Sequence, residues 1–296
     1  MAPLKPRALE THFSVSSPPS QISEDIRLLV LDVDGTIAGS SNDVRQPVVE
    51  ALQAVRDRGI SVAIATGRMY CSALRFHRAI GSQLPLIAYN GAWIQDPQTD
   101  EIHQHLHLSP EDALALLDYF EQTELRSRVG VHFYSQDRLY VREIVADTES
   151  YARRSDVEPI AVGDLRHILD SPLTKILAMA TDTQLMDEIR QTLQQRYSRD
   201  RLYLTQSSSI FFEATHPQVN KGSAVRFLAE DLLGLKAEQV MAIGDNFNDA
   251  EMLAYAGMGV AMGDAPEPVR AIAQWTAPEV EQDGVVVALE RFLLQP

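Results

Sequence analysis

The chain has 296 residues, a 45% hydrophobic content and one cysteine, Cys71, so it is long enough for about two domains and excludes an intramolecular disulfide. Acidic residues outnumber basic ones 41 to 26, and a net charge of −15 with no concentrated basic stripe argues against nucleic acid as a partner. No apolar run approaches the roughly 20 residues that span a bilayer, and the Pro- and Ser-rich residues 1–23 read as a tail, not a secretory signal, which points to the cytoplasm.

From residue 24 the pattern alternates as in parallel α/β folds. RLLVLDV reads as a buried strand, RQPVVEALQAVRDRG as an amphipathic helix closed by Gly59, and ISVAIAT as a second strand. MYCSALRFHRAIG is a second helix and LPLIAYN a third strand. These strands are continuous apolar runs, as expected where helices cover both faces of a sheet. After Asn90-Gly91 the character changes, and EIHQHLHL and much of VGVHFYSQDRLYVRE alternate polar with apolar. Such alternation suggests an antiparallel sheet with one face on a core. Two helical segments follow this pattern: SPEDALALLDYFEQTE, with Ser109 as N-cap and Asp112 in a box-like position, and DTQLMDEIRQTLQQRY. TKILAMATD, RLYLTQ and SIFFEATH add strands before the α/β alternation resumes at KGSAVRFLAEDLLG. The expected architecture is a Rossmann-like doubly wound α/β core, residues 24–91 and 217–296, split by an inserted α+β cap domain over residues 92–216.

Several apolar strands end in polar residues: Asp32 and Asp34, Thr66, Asn90 and Asp245. In open parallel sheets the ligand crevice lies outside the carboxyl ends of the strands, so one geometric rule gathers residues far apart in sequence. A single strand-end Asp is commonly a helix cap, but several such endings together point to a site.

The segments DVDGT, ATGR, NKGSA and GDNFND, in that order, resemble the four motifs of the haloacid-dehalogenase-like (HAD) phosphatase superfamily. YNGA followed by a large insertion resembles its Cof-like subfamily with a type IIB cap, and GVAMGDA and DGVVVAL agree. The resemblance implies a phosphatase in which Asp32 is the nucleophile and forms an aspartyl-phosphate, and Asp34 protonates the leaving alcohol and then activates water. It implies Mg²⁺ held by Asp32, Asp245 and the main-chain carbonyl of Asp34, with Asp249 and Asn248 behind them. Thr66 and Lys221 are implied to hold phosphate oxygens. Gly35, Gly67, Arg68, Asn90 and Gly91 are assigned to substrate binding; Asn90-Gly91 also reads as a turn into the cap. Glu213 reads equally as structural or as a substrate contact. Where many Cof-like proteins have Asn, MGDA places Asp264, read as a helix cap before Pro266.

The expected partner is a small-molecule phosphate ester, sugar phosphates first, with flavin mononucleotide, pyridoxal phosphate or pyrimidine phosphates as the alternative. A non-catalytic relative is the contrasting reading, which the intact motifs disfavour. No nucleic acid and no membrane are expected, and the protein is expected to be a monomer or homodimer. His132, Tyr134 and Arg138 are the candidate substrate contacts from the cap.

Overall fold

The computed structural model describes residues 25–206 and 208–295; the tail reading for residues 1–23 lies outside them. Strand β1 (Leu28–Leu31) is wholly buried and leads through residues 32–45 into helix α1 (Gln46–Asp57), which buries Val48, Ala51, Leu52 and Val55 at helical spacing. Pro47 falls in the first turn of α1, where a missing N–H interrupts no helical bond. Strand β2 (Ser61–Ile64) pairs parallel with β1 and is followed by α2 (Tyr70–Ala79) and β3 (Leu86–Ala88).

The third apolar run departs from the simple expectation. A single bridge, Ala65 to Ile87, links it in parallel to the region of β2. Its main partner is antiparallel: β3 pairs with β4 (Trp93–Gln95), which pairs with β5 (Ile102–His105), in a separate three-stranded sheet. The reason lies in three consecutive left-handed residues, Tyr89, Asn90 and Gly91, at φ of 51°, 57° and 99°, which turn the chain back on itself. At Gly91 a side chain is barred twice over, since a Cβ would stand 2.6 Å from that of Ala224.

Helices α3 (Pro110–Phe120) and α4 (Thr123–Arg126) precede the hairpin β6 (Gly130–Ser135) and β7 (Arg138–Val141). Ser109 caps α3 by accepting from the Asp112 N–H at 3.1 Å, and Asp112 answers through its side chain, accepting from the Ser109 hydroxyl at 2.8 Å. Next come α5 (Ala146–Ser155), β8 (Pro159–Ala161), β9 (Leu173–Met179), α6 (Thr183–Arg196), β10 (Tyr203–Thr205) and β11 (Phe211–Thr215). The six strands order β10-β11-β9-β6-β7-β8, antiparallel except for the parallel β7–β8 pair. Strand parity sorts the two faces: Phe133, Ile176, Ala178, Phe212 and Ala214 pack under α3 and α6, while Tyr134, Leu177, Met179 and Phe211 turn toward the other layer.

The chain then runs through α7 (Lys221–Arg226), a π-helical turn at Phe227–Leu232, and β12 (Val240–Gly244). Helix α8 (Ala250–Tyr255), β13 (Met258–Ala261), α9 (Glu267–Arg270), β14 (Trp275–Thr276) and α10 (Gly284–Phe292) complete it. The five-stranded parallel sheet orders β14-β13-β12-β1-β2. One face of β1, Leu29 and Leu31, packs with residues of α1 and α10; Leu28 and Val30 pack with those of α7 and α8. The fold is a Rossmann-like parallel core joined to antiparallel sheets, and no described helix is long and apolar enough to cross a membrane.

Candidate active site

The carboxyl ends of β1 and β12 bring Asp32 and Asp245 together, as the strand-end rule requires. Gly35 makes the approach possible: it sits at φ +78°, and a Cβ there would lie 2.3 Å from Asp245 Oδ2. Lys221 opens α7 fully buried, and its ammonium donates to Asp32 Oδ1 at 2.6 Å and to Asp249 Oδ1 at 2.5 Å. Asp249 also accepts the backbone N–H groups of Asp245 and Asn246, at 2.9 and 3.0 Å, which fixes the turn after β12. It therefore holds Lys221 and the loop in place.

The charges here do not balance. Ligand oxygens of Asp32, Asp245 and Asp249 lie within 4.8 Å of one another and share one ammonium. Burial pushes the Asp32 carboxyl up to about 7 against the pull of Lys221, and burial together with Asp32 holds Asp245 well above the ordinary range. For Lys221 burial is the largest single influence and acts against its charge, yet Asp249 and Asp32 together hold the ammonium above its usual pKa. Lysine gains from the cluster while the acids remain under-compensated, which is the condition a hard cation relieves. The donor set, carboxylate oxygens with no His or Cys, suits Mg²⁺.

Asp34 stands apart from this cluster, half exposed, in a two-point grip: Arg68 Nε donates to Oδ2 at 2.7 Å and Arg68 Nη2 to Oδ1 at 2.6 Å. Arg154 of α5 approaches to 3.9 Å. Thr66 is buried, and its hydroxyl accepts the Arg68 N–H at 3.2 Å, tying the loop after β2 into a compact turn.

These residues line a crevice of about 440 Å³, within the range of small-molecule sites. Asp32, Asp34, Gly35, Thr66, Gly67, Arg68, Asp245 and Asn248 form part of its wall. Asn90 and Gly91, assigned to substrate binding, do not. Asn90 is fully buried; its amide accepts from Asn248 at 3.0 Å and donates to Glu213 at 3.4 Å, so it braces the wall from behind. Asp264 is exposed and does not cap α9, which begins three residues after it at Glu267 with Pro266 at its cap position. Cys71, beside Asp137 at the start of α2, has its thiol pushed up to about 12 by burial and by that carboxylate, which disfavours the thiolate at neutral pH.

His132, Tyr134 and Arg138 are not among the lining residues. His132 and Tyr134 have the right strand parity, but α5 covers them: His132 Nε2 is 3.3 Å from the Thr148 hydroxyl, and Tyr134 donates to the Tyr151 hydroxyl at 2.7 Å. Arg138 lies at the hairpin turn. The inserted segment instead contributes Tyr151 and Arg154 of α5, Lys175 of β9, and Phe211 and Glu213 of β11. A buried lysine inside the apolar run TKILAM was the available sequence signal for Lys175.

Residues 29–289 match the model of the haloacid dehalogenase-like hydrolase family. This chain belongs to that family. The hydrolase is 30% identical over 276 residues to YxeH of Bacillus subtilis, covering 90% of this chain and 98% of that one. It is 28% identical to the Bacillus subtilis 5-amino-6-(5-phospho-D-ribitylamino)uracil phosphatase YitU, covering 90% and 97%. Among solved structures it is similar to TM0651 of Thermotoga maritima, at 29% identity and a TM-score of 0.75 over 90% of this chain and 97% of that one. Family and relatives together make the enzyme class a phosphatase.

Proposed function

We propose that this hydrolase is a Mg²⁺-dependent phosphatase of small phosphorylated metabolites, sugar phosphates first, working through an aspartyl-phosphate on Asp32. The observation that carries the reading is the buried Lys221 bridging Asp32 and Asp249, behind a crevice open to a small ester that Asp32 and Asp245 line. Asp32 attacks phosphorus, and the ester P–O bond breaks as Asp34 gives the departing alkoxide a proton. Asp34 then takes a proton from the water that opens the aspartyl-phosphate, releasing inorganic phosphate and restoring Asp32. Lys221 and the Thr66 hydroxyl hold phosphate oxygens throughout. Arg68 orients Asp34 for both proton transfers through its two-point contact with the carboxylate. Mg²⁺ held by Asp32, Asp245 and the Asp34 carbonyl would neutralise the phosphate's charge against the acids.

Residues 92–216 serve in this reading as a lid that excludes water and selects the leaving group, while the flanking segments supply the reacting groups. It is supported by the origin of the crevice walls: Asp32, Asp34, Thr66 and Asp245 come from the ends of core strands, Tyr151, Lys175 and Glu213 from the insertion. The edge-on Tyr151–Phe211 pair, 5.8 Å between ring centres, supports a second substrate reading in which a heterocycle packs there, as in the substrate for which YitU is named. The test is a phosphate-ester panel assayed for phosphate release with Mg²⁺. Turnover should vanish in EDTA, return with Mg²⁺, and fall by orders of magnitude in Asp32→Asn. Full activity in chelator, or an Asp32→Asn rate within tenfold of wild type, would overturn the mechanism.

A further inference from the structure

The proposed chemistry uses neither of two charged side chains in the crevice roof. Lys175 and Glu213 sit on adjacent strands β9 and β11, on the face turned to the crevice, with side chains 3% exposed and Nζ to Oε2 at 3.6 Å. The ammonium donates to the Gly67 carbonyl at 3.1 Å and stands 4.8 Å from the centre of the Tyr134 ring. Glu213 Oε2 accepts from the Asn90 amide at 3.4 Å. Gly67 follows Thr66 directly, and the Asn90 N–H donates to the Thr66 carbonyl at 2.8 Å. Both charges are thereby anchored beside the loop proposed to hold phosphate, where the first carbons of a leaving group must lie.

Burying a lysine and a glutamate costs desolvation energy that a 3.6 Å contact recovers only in part, and apolar side chains of similar size would hold the lid to the core at least as well. Inside a crevice, however, the pair offers a cationic donor next to an anionic acceptor. Neighbouring hydroxyl groups, each able to donate and accept, match that arrangement; an alkyl chain leaves both charges without a polar partner from the substrate. We infer that Lys175 and Glu213 are specificity-determining residues selecting esters whose leaving group carries hydroxyls on the carbons next to the phosphorylated one, as in a polyol or sugar chain. The inference rests on the phosphatase reading above and adds the residues that choose its substrate.

The experiment compares ribitol 5-phosphate with n-pentyl phosphate, the same chain length without hydroxyls, and with acetyl phosphate, which is too short to reach the pair. Wild type should favour ribitol 5-phosphate over pentyl phosphate. In Glu213→Gln the loss of kcat/KM on ribitol 5-phosphate should exceed the loss on the other two by about 10- to 100-fold. Parallel losses on all three would reduce the pair to a structural strap and overturn the inference. Because glutamine leaves Lys175 buried with weakened partners, Lys175→Met/Glu213→Leu removes both charges together; a cooperative melt with the preference erased is the expected result, and a retained preference overturns it. Calorimetric binding to Asp32→Asn, with and without Glu213→Gln, separates this inference from the function reading. If wild type hydrolysed none of the esters, yet Asp32→Asn bound ribitol 5-phosphate at least tenfold tighter than pentyl phosphate through Glu213, the function reading would fall and the selectivity would stand. Equal binding of the two esters would overturn the selectivity even if all were hydrolysed.

Discussion

Asp32 and Asp34 are two residues apart in sequence and occupy different electrostatic worlds. Asp32 is buried against Lys221 among other acids, while Asp34 is half exposed in the grip of Arg68. A division of labour between them follows. In Asp34→Asn, single-turnover release of an alkyl leaving group should slow by about 10²–10⁴, the usual worth of a positioned acid. Release of p-nitrophenolate, which departs without a proton, should slow by much less; equal slowing would make Asp34 structural. Gly35 provides a sharper test of the loop between them. Gly35→Ala forces a left-handed alanine at about 1–2 kcal/mol and drives its Cβ onto Asp245. Thermal melts should register the strain, and turnover should collapse because Asp245 is displaced. An active, equally stable alanine variant would contradict the packing described here.

At the scale of elements, the β6–β7 hairpin carries an unexpected contact. Its two-residue turn, Gln136-Asp137, has φ of 49° and 55°, the type I′ conformation that favours Asn-Gly and strains a glutamine. The Asp137 carboxylate accepts from the N–H groups of Tyr70 and Cys71 at 3.0 and 2.7 Å and from the Tyr89 hydroxyl at 2.8 Å. A turn of the insertion thus caps helix α2, which immediately follows the Thr66–Arg68 loop. Ser72 on α2 donates to the Ser155 carbonyl at the end of α5, and Asn42 donates to the Arg154 carbonyl at 2.9 Å, extending the same seam. Asp137→Ala should cost about 1 kcal/mol, typical of a lost N-cap. It should also raise KM more than it lowers kcat, since Asp137 touches none of the acids and acts only through the placement of α2 and the lid. Melting curves and steady-state kinetics check both, and unchanged values in each would remove Asp137 from the seam's energetics.

For the whole molecule, two solution behaviours follow from buried charge. Three carboxylates facing one ammonium repel one another, so Mg²⁺ should raise the melting temperature above that in EDTA. Asp245→Asn relieves part of the repulsion, and it should melt higher than wild type in EDTA while losing the response to Mg²⁺. An unchanged Mg²⁺ response in that variant would place the cation elsewhere. The second behaviour concerns His132, whose pKa burial and Lys175 lower to about 4, against 6.5 when free. Between those values the unfolded chain binds the proton and the folded chain does not, so stability falls as pH drops from about 6.5 toward 4. His132→Gln should lose less stability than wild type between pH 7 and 5 in thermal melts. Identical losses would show that His132 carries none of the acid sensitivity.

Much of this site was readable because its chemistry is local. Asp32, Asp34, Thr66, Lys221 and Asp245 each end a strand or open a helix, and buried-strand runs are legible from period and composition alone. The parallel order of the core strands adds only one rule, that their carboxyl ends converge. What lay beyond the sequence was decided by packing between segments distant along the chain. Alternation gave His132 and Tyr134 the right side of their sheet, but whether that side meets solvent or a helix depends on where α5 comes to rest, which no periodicity encodes. Asn90 reads as a turn residue, and its amide becomes a brace only because Asn248 and Glu213 arrive from 158 and 123 residues away. The sequence by itself determined the fold class and pointed to the strand-end residues of the candidate site, since strand periodicity and motif patterns act over a few residues. Only the tertiary structure decided which side chains wall the crevice, because burial is set by what the remainder of the chain lays over them.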